Sequence, residues 1–557
     1  MEIFKKNILN IALIVGLFLA IRPLFSSGFF PMHDDTQPAR VFEMAKALDE
    51  GQFPVRWVSD LGYGYGYPIF NFYSPLPYYV GAIPLIFGID TLMATKAMFA
   101  IGMILAGIGM YLTANKLWGS RGATVSALLY VLAPYHAVQL YVRGAIGELW
   151  AYALVPFVFW GILEAKSHSK KGFLIGAVGL AGVILSHNIS ALILFFLLFL
   201  WIFWELGKSV INHKISNYLL PLVNIILVGL GLSSFFFLPA LFESQYTKVE
   251  QLSQSTNDFH QHFVYIDQLW DSPWGYGGSA QGRADGLSFK IGKIHLLLAL
   301  LSLVWYLTKK NIFNFVGYEF LIFFVGGVIS IVMILPVSLK LWEFLPYFSF
   351  IQYPWRFLTF ALFFISLISG AFYIVIQKSK YLIQIFMLLP VLLLILMLNT
   401  KYFQPQLLDS RTSVDYTSEE ALKWTISKIS DEYLPKTFLS PLQKANIAHG
   451  KIDSQSAIMI KSVDAVSNRI TTKISASNQA EIVFNVAYFP GWELVVDSQK
   501  IKPIIKDGKM AISLLPGNHT VTAYFANTPI RTIGNIISAI SFIVLVSIWL
   551  KIRYEKN

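Results

Sequence analysis

Long apolar runs, separated by short basic connections, form the dominant pattern of this chain. Several runs exceed about 18 residues, enough for a helix to cross a hydrocarbon core of about 30 Å. If every basic connection lies in the cytoplasm, two crossings must separate each connection from the next. The pattern therefore predicts twelve spanning helices with both termini inside, near 8–25, 92–114, 122–139, 149–165, 172–189, 190–206, 217–239, 289–308, 317–336, 357–376, 381–399 and 532–550.

Two shorter segments follow the first span. Val41, Phe42, Ala45 and Leu48 share one face of a predicted helix over about 37–50, which we expect to lie flat on the membrane. The apolar stretch 75–89 is interrupted by prolines and is too short to span, so it is predicted to be interfacial or re-entrant.

Composition changes sharply after residue 399, where charges of both signs accompany runs of alternating polarity. Such alternation, bounded by Pro-Gly turns, predicts β-strands. We therefore expect a transmembrane module over 1–399 with a first outer loop at 26–91, an extracytoplasmic β-sandwich-like domain over 400–530, and a last helix and cytoplasmic tail over 531–557.

The bulk composition agrees with a membrane protein of the cell envelope. Hydrophobic residues make up 55% of the 557, charged residues 13%, and the mean hydropathy is +0.58. Soluble proteins are only about 45–50% apolar and about 25% charged. The net charge of +11 follows from the positive-inside rule and does not indicate a nucleic-acid partner. Because the chain has no cysteine, disulfides, thiolate metal sites and a cysteine nucleophile are excluded.

The strongest candidate for chemistry is the run His33-Asp34-Asp35-Thr36 at the outer end of the first span. Adjacent carboxylates at a membrane surface repel each other and are costly to desolvate, which favours a bound cation or a reacting group nearby. The alternative is structural, since Asp35 or Thr36 is a suitable N-cap for the helix that follows.

Aromatic and glycine residues fill the stretch 62–79, which includes Tyr65, Tyr67 and Tyr73. Aromatic faces stack on sugar rings and line lipid grooves, but tyrosine also anchors helices at membrane interfaces. Composition does not decide between these two roles.

Four more polar residues lie at predicted outer ends: Arg143, Glu148, His187 and Arg356. Arg143 and Glu148 either form a plain ion pair or share a polar site with the first loop. His187 is either a catalytic or substrate-binding residue or an interhelical hydrogen-bonding residue. A guanidinium such as Arg356 binds phosphate in a bidentate manner, although it also reaches lipid headgroups from this depth.

The run from His33 to Trp57, the repeat Gly62-Tyr-Gly-Tyr-Gly-Tyr-Pro68, and the motifs 141–148 and 353–357 resemble the bacterial membrane proteins named 6-pyruvoyl-tetrahydropterin synthase-related. More broadly, the first 360 residues or so resemble GT-C glycosyltransferases, such as protein O-mannosyltransferases and the aminoarabinose transferases of lipid A. Those proteins share an acidic pair after the first span, an interfacial helix and a proline-rich aromatic segment.

The resemblance implies a glycosyltransferase that moves a sugar, with inversion, from a polyprenyl-phosphate donor to a cell-envelope acceptor at the outer face. It implies Asp34 as the general base with Asp35 beside it, and it raises Mg²⁺ or Mn²⁺ as a cofactor held by Asp35, Glu148 or His33. A transporter or flippase of lipid-linked sugars, and a non-catalytic scaffold that binds envelope glycan, remain the alternatives. Because the notable polar residues lie at outer ends and not at mid-membrane, surface chemistry is favoured.

Overall fold

A computed structural model describes residues 2–167, 169–249, 258–308, 315–377, 379–454 and 458–554. Four lysines of the basic segments that set the predicted topology lie outside these ranges: Lys309, Lys310, Lys378 and Lys556. Within them, the helices of ten or more residues are α1 Glu2–Ile21, α2 Gln37–Asp49, α3 Leu76–Ile86, α4 Thr91–Val131, α5 Ile146–Ala165, α6 Lys170–Ser186, α7 Asn188–Ile211, α8 Leu219–Glu243, α9 Lys293–Thr308, α10 Phe315–Ile334, α11 Leu358–Ser369, α12 Tyr381–Asn399 and α13 Pro529–Tyr554.

Each of the twelve predicted spans overlaps one of these helices, and two of them share α4. Helix α4 runs for 41 residues and is interrupted at Gly119, whose backbone (φ 72°, ψ 174°) is not helical. Eight helical segments of the described chain are long and apolar enough to cross a membrane, so the polytopic α-helical architecture is confirmed. The count of twelve crossings stays a prediction.

Helices α2 and α3 occupy the first loop and pack against each other. Helix α3 has 11 residues, too few to span, as its prolines predict. The apolar face of α2 is covered by protein, because Val41 is fully buried and Phe42, Ala45 and Leu48 pack against the main core. The proposed cap is wrong: Thr36 occupies the N-cap position, but no side chain caps the helix there.

In the described part of the chain, nine strands follow α12 and form two antiparallel sheets. The strands are β1 Ile452–Ser454, β2 Ile458–Val466, β3 Arg469–Ala476, β4 Ala480–Ala487, β5 Trp492–Val496, β6 Gln499–Ile501, β7 Ile504–Lys506, β8 Lys509–Leu514 and β9 Gly517–Phe525. One sheet has the order β1-β4-β8-β7 and the other β2-β3-β9-β5-β6, and both contribute alternate apolar residues to one core. The predicted β-domain is confirmed, and we call the end of the helical bundle that carries it the β-domain end.

Residues 400–451, which the alternation pattern assigned to the β-domain, contain only short helical turns and loops. Their aromatic side chains pack on the first loop instead of extending a sheet. The ring centroids of Phe438 and Tyr65 lie 5.1 Å apart, and Tyr433 stacks on Phe72 with ring centroids 5.4 Å apart. The segment therefore lies between the first loop and the sheets.

A buried ion pair joins the last helix to the rest of the molecule. Arg531, at the start of α13, is fully buried and donates from Nε and Nη2 to one carboxylate oxygen of Glu243, at 3.0 and 2.9 Å. The same guanidinium donates to the carbonyls of Pro490 and Ala526, which flank the sheets. Glu243 also accepts a hydrogen bond of 2.7 Å from Asn71 in the first loop.

Candidate functional site

A cavity of about 700 Å³ opens at the β-domain end of the bundle. Its walls come from the first loop, the loop before α5, the α6–α7 junction, the segment before α11, and residues 429–433. The helix ends that were predicted to lie outside therefore cluster. The cavity brings together seven of the predicted site residues: His33, Asp34, Tyr73, Arg143, Glu148, His187 and Arg356.

Backbone pairing places Asp34 in the cavity. The amides of His33 and Asp34 donate to the carbonyls of Val142 and Arg143, at 3.1 and 2.9 Å. Gln37 reinforces the pairing by donating from its side-chain amide to the Gly144 carbonyl at 2.9 Å. Among the described residues, nothing donates a hydrogen bond to the Asp34 carboxylate, which is partly exposed and lines the cavity. The Asp34 carboxylate is therefore available to accept a proton or a hydrogen bond from a ligand.

Gly144 makes this close approach sterically feasible. Its φ of +60° lies in the left-handed region, and a Cβ at this position would come within 2.1 Å of the Met32 sulfur. Any side chain here must push against the Met32 side chain, two residues before Asp34.

We therefore expect Gly144→Ala to reduce any turnover that depends on Asp34 by about tenfold or more. Displacing the Asp34 carboxylate by about 1 Å is enough to cost that factor. Turnover and the apparent melting temperature, measured on the same preparation, test this. Gly51 has the same left-handed backbone (φ +81°) but open space around a Cβ, so Gly51→Ala controls for backbone strain alone. Equal turnover in the two variants would contradict a positioning role for Gly144.

Arg143 and Glu148 form a buried ion pair whose members are 2.6 Å apart. Oxygen Oε1 of Glu148 also accepts hydrogen bonds from Tyr135, Gln139 and Thr359, at 2.7, 3.1 and 3.0 Å. Burial would lower the pKa of Arg143, but the charges of Glu148, Tyr135 and Asp34 hold that pKa above its usual value. Glu148 therefore fixes a permanently charged guanidinium beside Asp34.

The remaining nitrogens of Arg143 are free to bind a ligand. Its Nη1 makes both side-chain hydrogen bonds, to Glu148 and Tyr135, and no described residue accepts from Nε or Nη2. The guanidinium lies over the Trp355 ring at 4.7 Å, so its planar face is covered while its edge remains available. This geometry suits an anion with several oxygens.

Arg356 is the second cation of the cavity. Its Nη1 donates to the Ile351 carbonyl at 2.8 Å and to the Gln352 side chain at 3.2 Å. Its Nε is buried without a hydrogen-bond partner in the described residues, and none of those residues accepts a hydrogen bond from its Nη2. Two arginines with unused donors in one cavity indicate an anion-binding region.

His187 has a local structural role as well as a place in the cavity wall. Its Nδ1 accepts from the Ser190 amide at 3.2 Å and thereby caps α7. An accepting Nδ1 assigns the proton of the neutral ring to Nε2, so the side chain is available there as a hydrogen-bond donor.

Asp35 does not share the cavity with Asp34. Its carboxylate pairs with Arg411 and accepts a 2.7 Å hydrogen bond from the Tyr416 hydroxyl. Burial raises the pKa of Asp35, and these two partners offset only part of that rise. The predicted catalytic role of Asp35 finds no support in this position, since Arg411 and Tyr416, almost 400 residues away along the chain, occupy the carboxylate.

Tyr65 and Tyr67 also lie outside the cavity. The Tyr65 hydroxyl accepts from the Ala448 amide at 3.0 Å, and the Tyr67 hydroxyl accepts from the Tyr433 amide at 3.1 Å. Both rings therefore dock the segment 400–451. Tyr73 alone of the three predicted tyrosines faces the cavity.

The three candidate metal ligands do not converge. Both carboxylate oxygens of Glu148 are occupied, Asp35 pairs with Arg411, and His33 donates to the Tyr276 carbonyl at 2.8 Å. Within the described ranges, no group of three His, Cys, Asp or Glu side chains is arranged to hold a metal ion. Asp35, Glu148 and His33 therefore do not fit a shared Mg²⁺ or Mn²⁺.

Residues 429–433 complete the cavity and were not singled out from the sequence. Asp431, Glu432 and Tyr433 all line it. Burial raises the pKa of Glu432, whose carboxylate accepts from the Ser430 hydroxyl at 3.1 Å. No local pattern marks this acid, because it lies in a mixed-charge loop more than 70 residues after the last motif used in the sequence argument.

Solved structures with a partly similar arrangement have low sequence identity to this chain. An oligosaccharyltransferase from Archaeoglobus fulgidus, tethered with an acceptor peptide, is 12% identical, with 80% of this chain and 61% of that one covered at a TM-score of 0.48. Arabinofuranosyltransferase AftD from Mycobacteria is 15% identical, with coverages of 72% and 27% and a TM-score of 0.44. ArnT from Cupriavidus metallidurans, bound to undecaprenyl phosphate, is 11% identical, with 78% of each chain covered and a TM-score of 0.38.

Sequence comparisons assign the family. An uncharacterized protein of Lactococcus lactis subsp. cremoris (strain MG1363) is 26% identical over 291 residues, which are 49% of this chain and 46% of that protein. The alignment thus spans about half of either protein. The model of the 6-pyruvoyl-tetrahydropterin synthase related domain, described as a membrane protein, matches residues 70–405, more than half of the chain. This chain therefore belongs to the family of 6-pyruvoyl-tetrahydropterin synthase-related membrane proteins.

Proposed function

We propose that this protein is a membrane glycosyltransferase that moves a sugar from a polyprenyl-phosphate carrier to a hydroxyl-bearing acceptor, with inversion. One observation carries the proposal: the Asp34 carboxylate, which has no hydrogen-bond donor among the described residues, lies in the same cavity as two arginines with unused donors. A base beside an anion-binding region is the minimum that such a transfer requires.

The reaction is a single displacement. Asp34 removes the proton of the acceptor hydroxyl as its oxygen attacks the anomeric carbon of the donor sugar. The bond from that carbon to the phosphate oxygen breaks, and the polyprenyl phosphate leaves with the electron pair. Attack from the face opposite the leaving group inverts the anomeric centre.

Arg143 and Arg356 stabilise the leaving group in this proposal. A phosphate is already a weak base, so it needs positive charge more than a proton. Charge-assisted hydrogen bonds from arginine are strong where water is scarce, and both guanidiniums are largely buried. Glu148 acts as a positioning residue for Arg143.

The test compares wild type with Asp34→Asn, both purified in lipid with the native polyprenyl-phosphate-sugar fraction. We expect release of free polyprenyl phosphate to fall by about 10²-fold or more, as loss of a general base predicts. The melting temperature should be unchanged, since no described residue hydrogen-bonds the Asp34 carboxylate.

Asp35→Asn is the matched control, because Asp35 is adjacent in sequence but bound to Arg411. It should retain most of the release activity. An equal loss in both variants would remove Asp34 as the specific base, and no release from folded wild type would favour a transporter or a scaffold.

A further inference from the structure

The cavity has a second charged region, formed by residues that the proposed reaction leaves without a role. Glu432 lines the cavity from the segment between the helices and the sheets. Arg40 binds the Ser430 hydroxyl that donates to Glu432, whereas Arg143, beside Asp34, pairs with Glu148. The Asp34 and Glu432 carboxylates therefore do not share a cation among the described residues.

Tyr73 lines the same cavity as Asp34 and Glu432. Burial raises the pKa of the Tyr73 phenol, and the negative charges of both Asp34 and Glu432 add to that rise. The Arg40 guanidinium covers the ring of Tyr73 at 4.2 Å. A ligand bound against Tyr73 in this cavity can therefore reach both the proposed base and Glu432.

Glu432 is held in place, yet its carboxylate is largely unused. Arg40 donates from Nη2 to the Ser430 hydroxyl at 2.9 Å, and that hydroxyl donates to Glu432 at 3.1 Å. No other described residue donates a hydrogen bond to Glu432, and no ion pair joins it to Arg40 within 4.0 Å in the described part of the chain. An ionised carboxylate has room for several donors and can itself donate none.

The backbone around Glu432 is fixed by the first loop. The Tyr433 amide donates to the Tyr67 hydroxyl at 3.1 Å, and the Tyr433 ring stacks on Phe72 at 5.4 Å. The acid is therefore presented on a supported segment, as a recognition group requires.

We infer that the acceptor binds between Asp34 and Glu432, and that Glu432 selects an acceptor with hydroxyl or ammonium groups and rejects one with an acidic group there. The inference rests on the proposed function and deepens it, since it places the attacking hydroxyl beside Asp34 and the donor phosphate beside the arginines. It predicts neutral or amine-bearing sugars as acceptors and excludes uronic acids at this position.

Binding of simple probes tests the inference without any turnover. The full-length protein in lipid nanodiscs is titrated at neutral pH with methyl glucoside, methyl glucosaminide and methyl glucuronide, and affinities are read by ligand-observed NMR. We expect the glucosaminide to bind at least about tenfold tighter than the glucuronide. The glucosaminide ammonium donates a charge-assisted hydrogen bond to Glu432, whereas the glucuronide carboxylate is repelled by it.

Glu432→Gln should abolish most of this discrimination, whereas Glu432→Asp should retain its direction. Glu420→Gln is the matched control, because Glu420 lies on the same segment but is 67% exposed and pairs with Lys444. Equal affinity for glucuronide and glucosaminide in wild type, the same discrimination in Glu432→Gln, or no binding of any probe would overturn the inference. Because donor turnover is not measured, the result is independent of the Asp34→Asn experiment.

Discussion

Replacing Arg531 with methionine should lower the free energy of unfolding by about 3–5 kcal/mol, because the Glu243 carboxylate is then left buried without its partner. Arg531 is 0% exposed and makes four hydrogen bonds, two of them to Glu243 and two to backbone carbonyls beside the sheets. The loss should appear as a lower apparent melting temperature in lipid and as faster proteolysis within the β-domain, which the pair attaches to the bundle.

A double variant separates the pair from its surroundings. Glu243→Leu combined with Arg531→Met removes both charges, and apolar replacements of a buried pair are often neutral or stabilising. We therefore expect the double variant to recover most of the stability lost by Arg531→Met. Arg283→Met is the control, since the Arg283–Asp267 pair is 61% and 55% exposed and such surface pairs contribute little to stability. If Arg531→Met were no more damaging than this control, the proposed anchoring role would be wrong.

Glu148→Ala should affect both stability and function. It removes four hydrogen bonds, to Tyr135, Gln139, Thr359 and Arg143, from a carboxylate that is 1% exposed. An unpaired buried Arg143 is expected to cost about 3–5 kcal/mol of folding free energy. A guanidinium without its positioning partner should also weaken donor binding by about 10- to 100-fold, the equivalent of one charge-assisted hydrogen bond.

The same helix provides the control for this prediction. Glu164, near the other end of α5, pairs with Lys116 at 3.0 Å, and the two side chains are 24% and 37% exposed. Glu164→Ala should change stability by no more than about 1 kcal/mol and leave donor affinity unaltered. Affinity is measured as the apparent dissociation constant for the native polyprenyl-phosphate-sugar fraction. Wild-type affinity in a folded Glu148→Ala protein would contradict the positioning role of Glu148.

Much of the architecture follows from patterns that are local in sequence. Apolar runs locate the helices, and alternation locates β3, β4 and β9, because both signals repeat within about ten residues. Asp34 and Arg143 meet because both lie at ends of spans on the same side of the bundle. Such proximity follows from topology alone once the crossings are assigned.

The errors arise where partners are distant in the chain. The sequence suggests a catalytic role for Asp35, but in the structure its carboxylate pairs with Arg411 and accepts a hydrogen bond from Tyr416. Tyr65 and Tyr67 are aromatic residues of the kind that stack on sugar rings. In the structure, however, their hydroxyls bind segment 400–451, which begins more than 330 residues later. Glu432 could not be singled out from the sequence for the same reason: its place in the cavity wall depends on where that segment lies, which no periodicity encodes.

Segment 429–433 has a consequence for how the protein is made. Helices α1–α12 precede β1 in the chain and therefore leave the ribosome first. Residues 429–433, which complete the cavity wall, emerge only after α12. The buried pair that attaches the β-domain forms later still, because Arg531 follows the strands. A chain terminated before residue 432 therefore carries the helices α1–α12 but lacks Glu432 and the last part of the cavity wall.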